Sequence, residues 1–243
     1  MSDERDPGSS AAPPAMTADL ARGVARGDRV HAFQSDAISV TWSRRRCTHA
    51  AECVMRLPTV FEPGRAPWVD ATAAAGDAIA EVVQRCPTGA LHFERHDGGA
   101  AEAVPTANSV LVSRDGPLLL RGDIEVRDDD GNVLLRDTRV ALCRCGLSKA
   151  KPLCDNAHRA ARFRDAGDLR SEDAVQDPGG GGSALRVTPH EHESLELSGP
   201  FVIGSGDGQT MQGGTSVWLC RCGGSQDKPF CDGSHARVGF ESR

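Results

Sequence analysis

"CRCGGSQDKPFCDGSH", residues 220–235, sets three cysteines and a histidine at the spacing C-x-C-x8-C-x3-H, and "CRCGLSKAKPLCDNAH", residues 143–158, repeats it. The candidate ligands are Cys220, Cys222, Cys231 and His235 in one copy and Cys143, Cys145, Cys154 and His158 in the other. Thiolates are soft anionic donors and imidazole a borderline one, a set that suits zinc or the iron of an iron–sulfur cluster. A single zinc ion usually takes two thiolates from a C-x2–4-C turn. C-x-C is tight for that and suits a diiron cluster, whose ligands are spread over two metals; a pair of structural zinc knuckles is the alternative. Gly146 and Gly223 free the backbone beside the second cysteine. Pro152 and Pro229 fix φ ahead of the third, and Asp155 and Asp232 are placed to cap a short helix that presents the histidine.

The rest of the chain excludes several classes. A net charge of -6 and a pI near 5.7 argue against nucleic acid, which asks for a basic face. Seven Phe, three Trp and no Tyr leave little to stack bases on. Apolar residues come in short runs, none long enough for a membrane span. Small units that each need a staple fit this pattern better than one large core. "DERD" at residues 3–6 is the wrong charge for a signal peptide, so a cytoplasmic protein is expected, with its nine cysteines as ligands and not disulfides.

Five segments follow from composition and pattern. Residues 1–30 form a polar tail with a short helix near 17–26, and 31–100 a small β-α-α-β unit. That unit has strands at 37–43 and 90–96, helices at 48–56 and 70–85, and Asp70 or Thr72 capping the second helix. Residues 101–171 hold the first repeat, 172–184 a Gly-rich linker and 185–243 the second repeat. Strands are expected at 116–126 and 132–143 around the turn "DDDGN", and at 195–206 and 216–220. Matching Gly116-Pro117 with Gly199-Pro200, and Cys143 with Cys220, leaves gaps that differ by six residues, as for a repeated domain with altered loops.

Cys47, Cys53 and Cys86 remain. Laid on the ferredoxin run C-x2-C-x2-C-x3-C-P, Cys47 is the first position and Cys53 the third. Ala50 stands at the second and Leu57-Pro58 at the last, while Cys86-Pro87 supplies a remote Cys-Pro. Three thiolates suit a 3Fe-4S cluster; a 4Fe-4S cluster needs a further ligand, for which His49 is the candidate, and zinc or no metal completes the alternatives. "SRRRC", 43–47, is a docking patch for an acidic redox partner or a solvated strand end. His92, His96, His190 and His192 have no cysteine partner; "TPHEHES" is expected as a solvated loop and "DDDG" as a turn. There is no dinucleotide fingerprint, Walker loop or defensible catalytic triad, so no enzyme is expected.

"CRCGGSQDKPFCDGSH" resembles the signature of the CDGSH iron–sulfur family. The resemblance implies a 2Fe-2S cluster in each copy. Cys220 and Cys222 would hold one iron and Cys231 and His235 the outer one; Cys143 and Cys145, then Cys154 and His158, would do the same. Asn156 and Ala157 replace the Gly and Ser of the signature. "VTWSRRRCTHAAEC", 40–53, and "VVQRCPTGAL", 82–91, resemble the divergent mono-cluster ferredoxins. Single-motif CDGSH proteins pair strands between two chains, so two copies here imply a monomer with an internal pseudo-dimer. The expected protein is α+β and multidomain: a ferredoxin-like unit and two β-rich CDGSH-type units. It would carry electrons through three clusters to an unidentified redox partner. A cluster donor to an apo-acceptor, a redox or pH sensor, and a zinc-stabilised interaction module are the alternatives. A histidine ligand in place of a thiolate raises the potential, and its protonation would couple electron to proton and release the cluster in acid. Potentials flat between about pH 5 and 9, with no bleaching in acid, would contradict that coupling.

Overall fold

The structure, a computed structural model, describes residues 29–169 and 183–242. The expected tail helix and most of the Gly-rich linker lie outside the described residues. The chain is mostly β, with four short helices among the described residues.

The N-terminal unit runs β1 (Val30–Gln34), β2 (Ile38–Ser43), α1 (Glu52–Arg56), α2 (Gly76–Gln84), β3 (Leu91–Arg95). β2 is central and antiparallel to both neighbours. β1 was not expected: "VHAFQ" is an edge strand with no fully buried residue, so its alternation is weak. α2 is shorter than expected. Asp70 caps a turn and not the helix: its Oδ1 accepts the N–H and O–H of Thr72 at 3.0 and 2.6 Å. The helix starts after Ala75 with no side-chain cap. Ile79, Ala80, Val82 and Val83 then bury one face in a core with Ile38, Val40, Leu91 and Phe93.

The two repeats run β4 (Ser109–Val112), β5 (Leu118–Arg127), β6 (Val133–Leu142), α3 (Ala157–Ala160), then β7 (Leu185–Pro189), β8 (Leu195–Gly204), β9 (Met211–Leu219), α4 (Ser234–Arg237). All six strands form one sheet. β4 pairs antiparallel with the first half of β5 and parallel with the second half of β8. β7 does the reverse, antiparallel with the first half of β8 and parallel with the second half of β5. The short strands thus sit end to end between the two long ones, and each repeat completes the other's sheet.

That pairing corrects two expectations. The repeats share one core, from Val110, Leu120 and Ile124 to Leu185, Leu197 and Ile203. Neither three-stranded piece closes by itself, so burial is pooled. The repeat also keeps constant register. Gly122 and Gly199, both at positive φ, lie at matching bulges in β5 and β8, 77 residues apart, as are Cys143 and Cys220. Gly199-Pro200 therefore corresponds to Gly122-Asp123. Gly116-Pro117 is the β4–β5 turn, and the apparent six-residue difference came from matching unlike glycines.

Candidate metal centres

Each repeat turns its last strand directly into a cysteine loop. β6 ends at Leu142, before Cys143, and β9 at Leu219, before Cys220. The eight-residue excursion then returns onto the same strand end. Leu153 bridges Leu142, and Phe230 bridges Leu219. The N–H of Cys143 donates to Pro152 O and that of Cys220 to Pro229 O, each at 2.8 Å. The third cysteine is thereby brought beside the first two. Asp155 accepts the Lys149 and Ala157 N–H groups at 2.8 and 3.0 Å, and Asp232 those of Gln226 and Ser234, both at 2.9 Å. Each Asp thus ties its loop to the first residue of the helix that carries the histidine.

The donors come in pairs. Cys143 and Cys145 Sγ lie 3.7 Å apart, as do Cys220 and Cys222 Sγ. Cys154 Sγ and His158 Nδ1 lie 3.5 Å apart, as do Cys231 Sγ and His235 Nδ1. Two thiolates at about 2.3 Å from one tetrahedral metal sit about 3.8 Å apart, and a thiolate and an imidazole nitrogen at about 2.0 Å sit about 3.5 Å apart. Each pair is therefore spaced as two corners of one metal's tetrahedron. Among the described residues no three His, Cys, Asp or Glu converge on a single ion. This donor set fits a group with two metals, each gripped by one pair.

Hydrogen bonding between the paired thiols splits their acidities. Cys143 is drawn down to about 6 while Cys145 is pushed up, and Cys222 is drawn down to about 6 while Cys220 is pushed up. Burial pushes Cys154 up to about 11. Burial, with the charges of Arg159 and Arg144, holds His158 below its usual range, in the neutral form that ligates. Ligation must deprotonate every thiol, so the metal's charge has to replace these protons.

Cys47, Cys53 and Cys86 line one cavity of about 320 Å³, together with His49, Trp42 and Trp68. Cys53 is pushed up to about 11, first by burial and then by the nearby Cys86 and Cys47. The indole N–H groups of Trp42 and Trp68 are buried with no hydrogen-bond partner among the described residues. Three thiols beside unanswered donors suit an anionic, sulfide-rich group. None of the nine cysteines is in a disulfide.

Several residues that shape these centres had no sequence signal. The arginine inside each C-x-C is buried. Arg144 Nε donates to Gly116 O at 2.7 Å, pairs with Asp165 and lies over Phe163. Arg221 Nε donates to Glu193 O at 2.8 Å and lies over Phe240. Of "SRRRC", Arg44 and Arg45 are exposed, but Arg46 is buried and pairs with buried Asp137 of β6 at 2.5 Å. His92 is held between Asp137 and Glu102, at 3.1 and 3.0 Å, and Arg139 also pairs with Glu102. Gly89 must be glycine here: a Cβ would strike the Arg139 carbonyl and the Asp137 carboxylate. These contacts seat the N-terminal unit on the first repeat. His190, expected in a solvated loop, instead joins Asp129 of the β5–β6 turn to Glu196 and stacks on Trp218 at 5.0 Å.

Two family models match the chain. One, described as divergent 4Fe-4S mono-cluster, matches residues 33–96. The other, described as iron-binding zinc finger CDGSH type, matches twice, at 115–159 and 192–236. No curated protein and no solved structure matches.

Proposed function

The chain carries one divergent 4Fe-4S mono-cluster domain and two CDGSH-type iron-binding domains, and from that premise we propose that it is an electron-transfer protein with three iron–sulfur centres. The observation that supports this most is the pairing of donors in both repeats: two thiols 3.7 Å apart and a thiol and imidazole 3.5 Å apart. Such a donor set suits a 2Fe-2S cluster, which supplies one-electron exchange when bound. The chain's part is to hold it, set its surroundings and admit a partner. Cys143, Cys145, Cys154 and His158 hold one centre, and Cys220, Cys222, Cys231 and His235 the other. Cys47, Cys53 and Cys86 hold the third as a 3Fe-4S cluster. His49, which lines the same cavity, is the protein ligand a fourth iron would take. No substrate chemistry is needed, so the chain is a carrier and not an enzyme, serving an external redox protein.

Part of the second centre is open to solvent, since Cys222, Cys231 and His235 are only half-buried. That exposure favours cluster handover to an apo-acceptor as the second reading. Iron, sulfide and zinc counts on anaerobically purified protein test the three-centre content that both readings need, and cluster transfer to an apo-acceptor without net electron flow would favour the second. About seven irons and eight sulfides per chain are expected, and about eight of each would mean a 4Fe-4S centre and a ligand role for His49. Zinc without sulfide would overturn the proposal.

A further inference from the structure

The first repeat departs from its signature at Asn156, and that residue touches the N-terminal unit. Asn156 is in the left-handed region, at φ 72, where the second repeat has Gly233 at φ 79. Asparagine is among the few side-chain-bearing residues that tolerate this conformation. Its Nδ2 donates to Thr48 O at 2.8 Å, and Thr48 follows Cys47 in the chain. Its own backbone N–H donates to Cys154 Sγ at 3.4 Å. One residue therefore joins the loop of an N-terminal ligand to a ligand of the first repeat through two hydrogen bonds. A groove with Cys47, Arg44 and Arg45 on one side and Ala150 and Asp155 on the other marks the same close approach.

The two repeats also meet at their ligand loops. Gly146 and Gly223, at φ 81 and 78, each follow the second cysteine of a C-x-C. A Cβ on Gly146 would strike the carbonyl of Cys222, and one on Gly223 the carbonyl of Cys145. Each glycine thus packs on the backbone of the other loop's second cysteine, an approach that a side chain at either position would block.

From these contacts we infer that the chain is an internal relay in which the three centres exchange electrons in chain order, with Asn156 as the positioning residue that couples the N-terminal centre to the first repeat. This rests on the iron–sulfur reading above. Cys47, Cys53 and Cys86 would hold the centre that gives up one electron, Cys143, Cys145, Cys154 and His158 would hold the one that accepts it, and Asn156 would set the two ligand loops against each other. No bond forms or breaks. A one-electron reductant supplies the N-terminal end, and a one-electron acceptor protein empties the second repeat. The second repeat has nothing comparable at Gly233, where an added Cβ would meet open space.

The test uses anaerobically prepared full-length holoprotein, with iron and sulfide counted in every sample. Electrons are injected by flash photoreduction with a deazaflavin. Their redistribution is followed by freeze-quench electron paramagnetic resonance, in which nitrogen hyperfine coupling marks the histidine-ligated centres. Asn156→Gly restores the signature and removes the amide. Asn156→Asp keeps size and left-handed tolerance but loses the donor. Both are expected to slow transfer from the N-terminal centre to the first repeat several-fold and to weaken their magnetic interaction, with metal content intact. Gly233→Asn is expected to leave the rates as they were. Full cluster content with unchanged rates and coupling in both Asn156 variants would overturn the relay while leaving the electron-transfer reading in place. Loss of iron from the first repeat in both variants would also overturn it, because Asn156 would then serve the centre itself. Zinc in place of iron and sulfide would overturn both.

Discussion

The two C-x-C-x8-C-x3-H loops share their donor pairing, their serine and aspartate clamps and their strand-end bonds, and differ in surroundings. In the first, Cys143, Cys145, Cys154 and His158 are all buried; in the second, only Cys220 is. Within the loops, Ser148 and Ser225 each donate to the carbonyl that precedes the third cysteine, at 2.6 and 2.8 Å. The Asp clamps and buried arginines also match. What differs is a neighbour: the N-terminal unit seats on the first loop through Thr48 and Asn156 and on β6 through Arg46 and His92, with Glu102 of the following segment joining His92 to Arg139. One ligand set can thus be buried or solvent-facing, depending on what covers it.

Removing the cover should make the loops alike. Asp137→Asn leaves Arg46 buried without its countercharge, and side-chain exposures of 3% and 0% mark the pair as fully desolvated. Breaking such a pair costs about 3–5 kcal/mol. We expect a loss of that size in urea unfolding of the holoprotein, with the first centre becoming as open to chelator as the second; unchanged stability would show that the seat carries no energy.

Next in size are the clamps. Asp155→Ala and Asp232→Ala each free two N–H groups that orient a ligand loop. Losing such support typically lowers metal affinity about 10–100-fold. Chelator competition should show each variant losing its own centre and keeping the other, and the second centre, with less cover, should go sooner. Equal losses at both centres from either variant would contradict independent loops.

A pH dependence sharpens the contrast further. Burial opposes charge on His92, but Asp137 and Glu102 overcome it and hold the imidazole up near 9. A histidine raised from its ordinary value of about 6.5 stabilises fully below that value and loses its effect as pH rises towards about 9. The seat should therefore weaken between those limits, read as falling protection factors at Thr88–Leu91, with exchange corrected for its intrinsic rise with pH, and unchanged protection in the second repeat. His92→Gln should flatten the profile. The smallest effect is expected for Gly233→Asn. It places a side chain in open space at a left-handed position that asparagine tolerates, and thermal unfolding should move by less than about 1 kcal/mol.

Much of this was legible from local pattern. The repeated spacing picked out eight donors and the partial ferredoxin run three more, and the structure groups them around three places, because ligand loops are short and their spacing survives folding. Strands β5, β6 and β8 were legible because their alternation is strong, whereas β1, β4 and β7 are only four or five residues long. Asp137, Arg139 and His92 looked like ordinary strand polar residues. Their partners lie up to 93 residues away, a separation no local pattern encodes.

By itself the sequence determined which atoms can bind metal and that the binding loop occurs twice, since donor chemistry and loop closure are local. The family resemblance implied that the two copies pair internally, and the tertiary structure decided that they do so through one six-stranded sheet and one core. It alone shows that Arg46 faces inward while Arg44 and Arg45 face solvent, and that Asn156, standing at a signature glycine, reaches Thr48. Those outcomes depend on which surfaces meet, and burial and long-range pairing are settled only when the whole chain has found its partners.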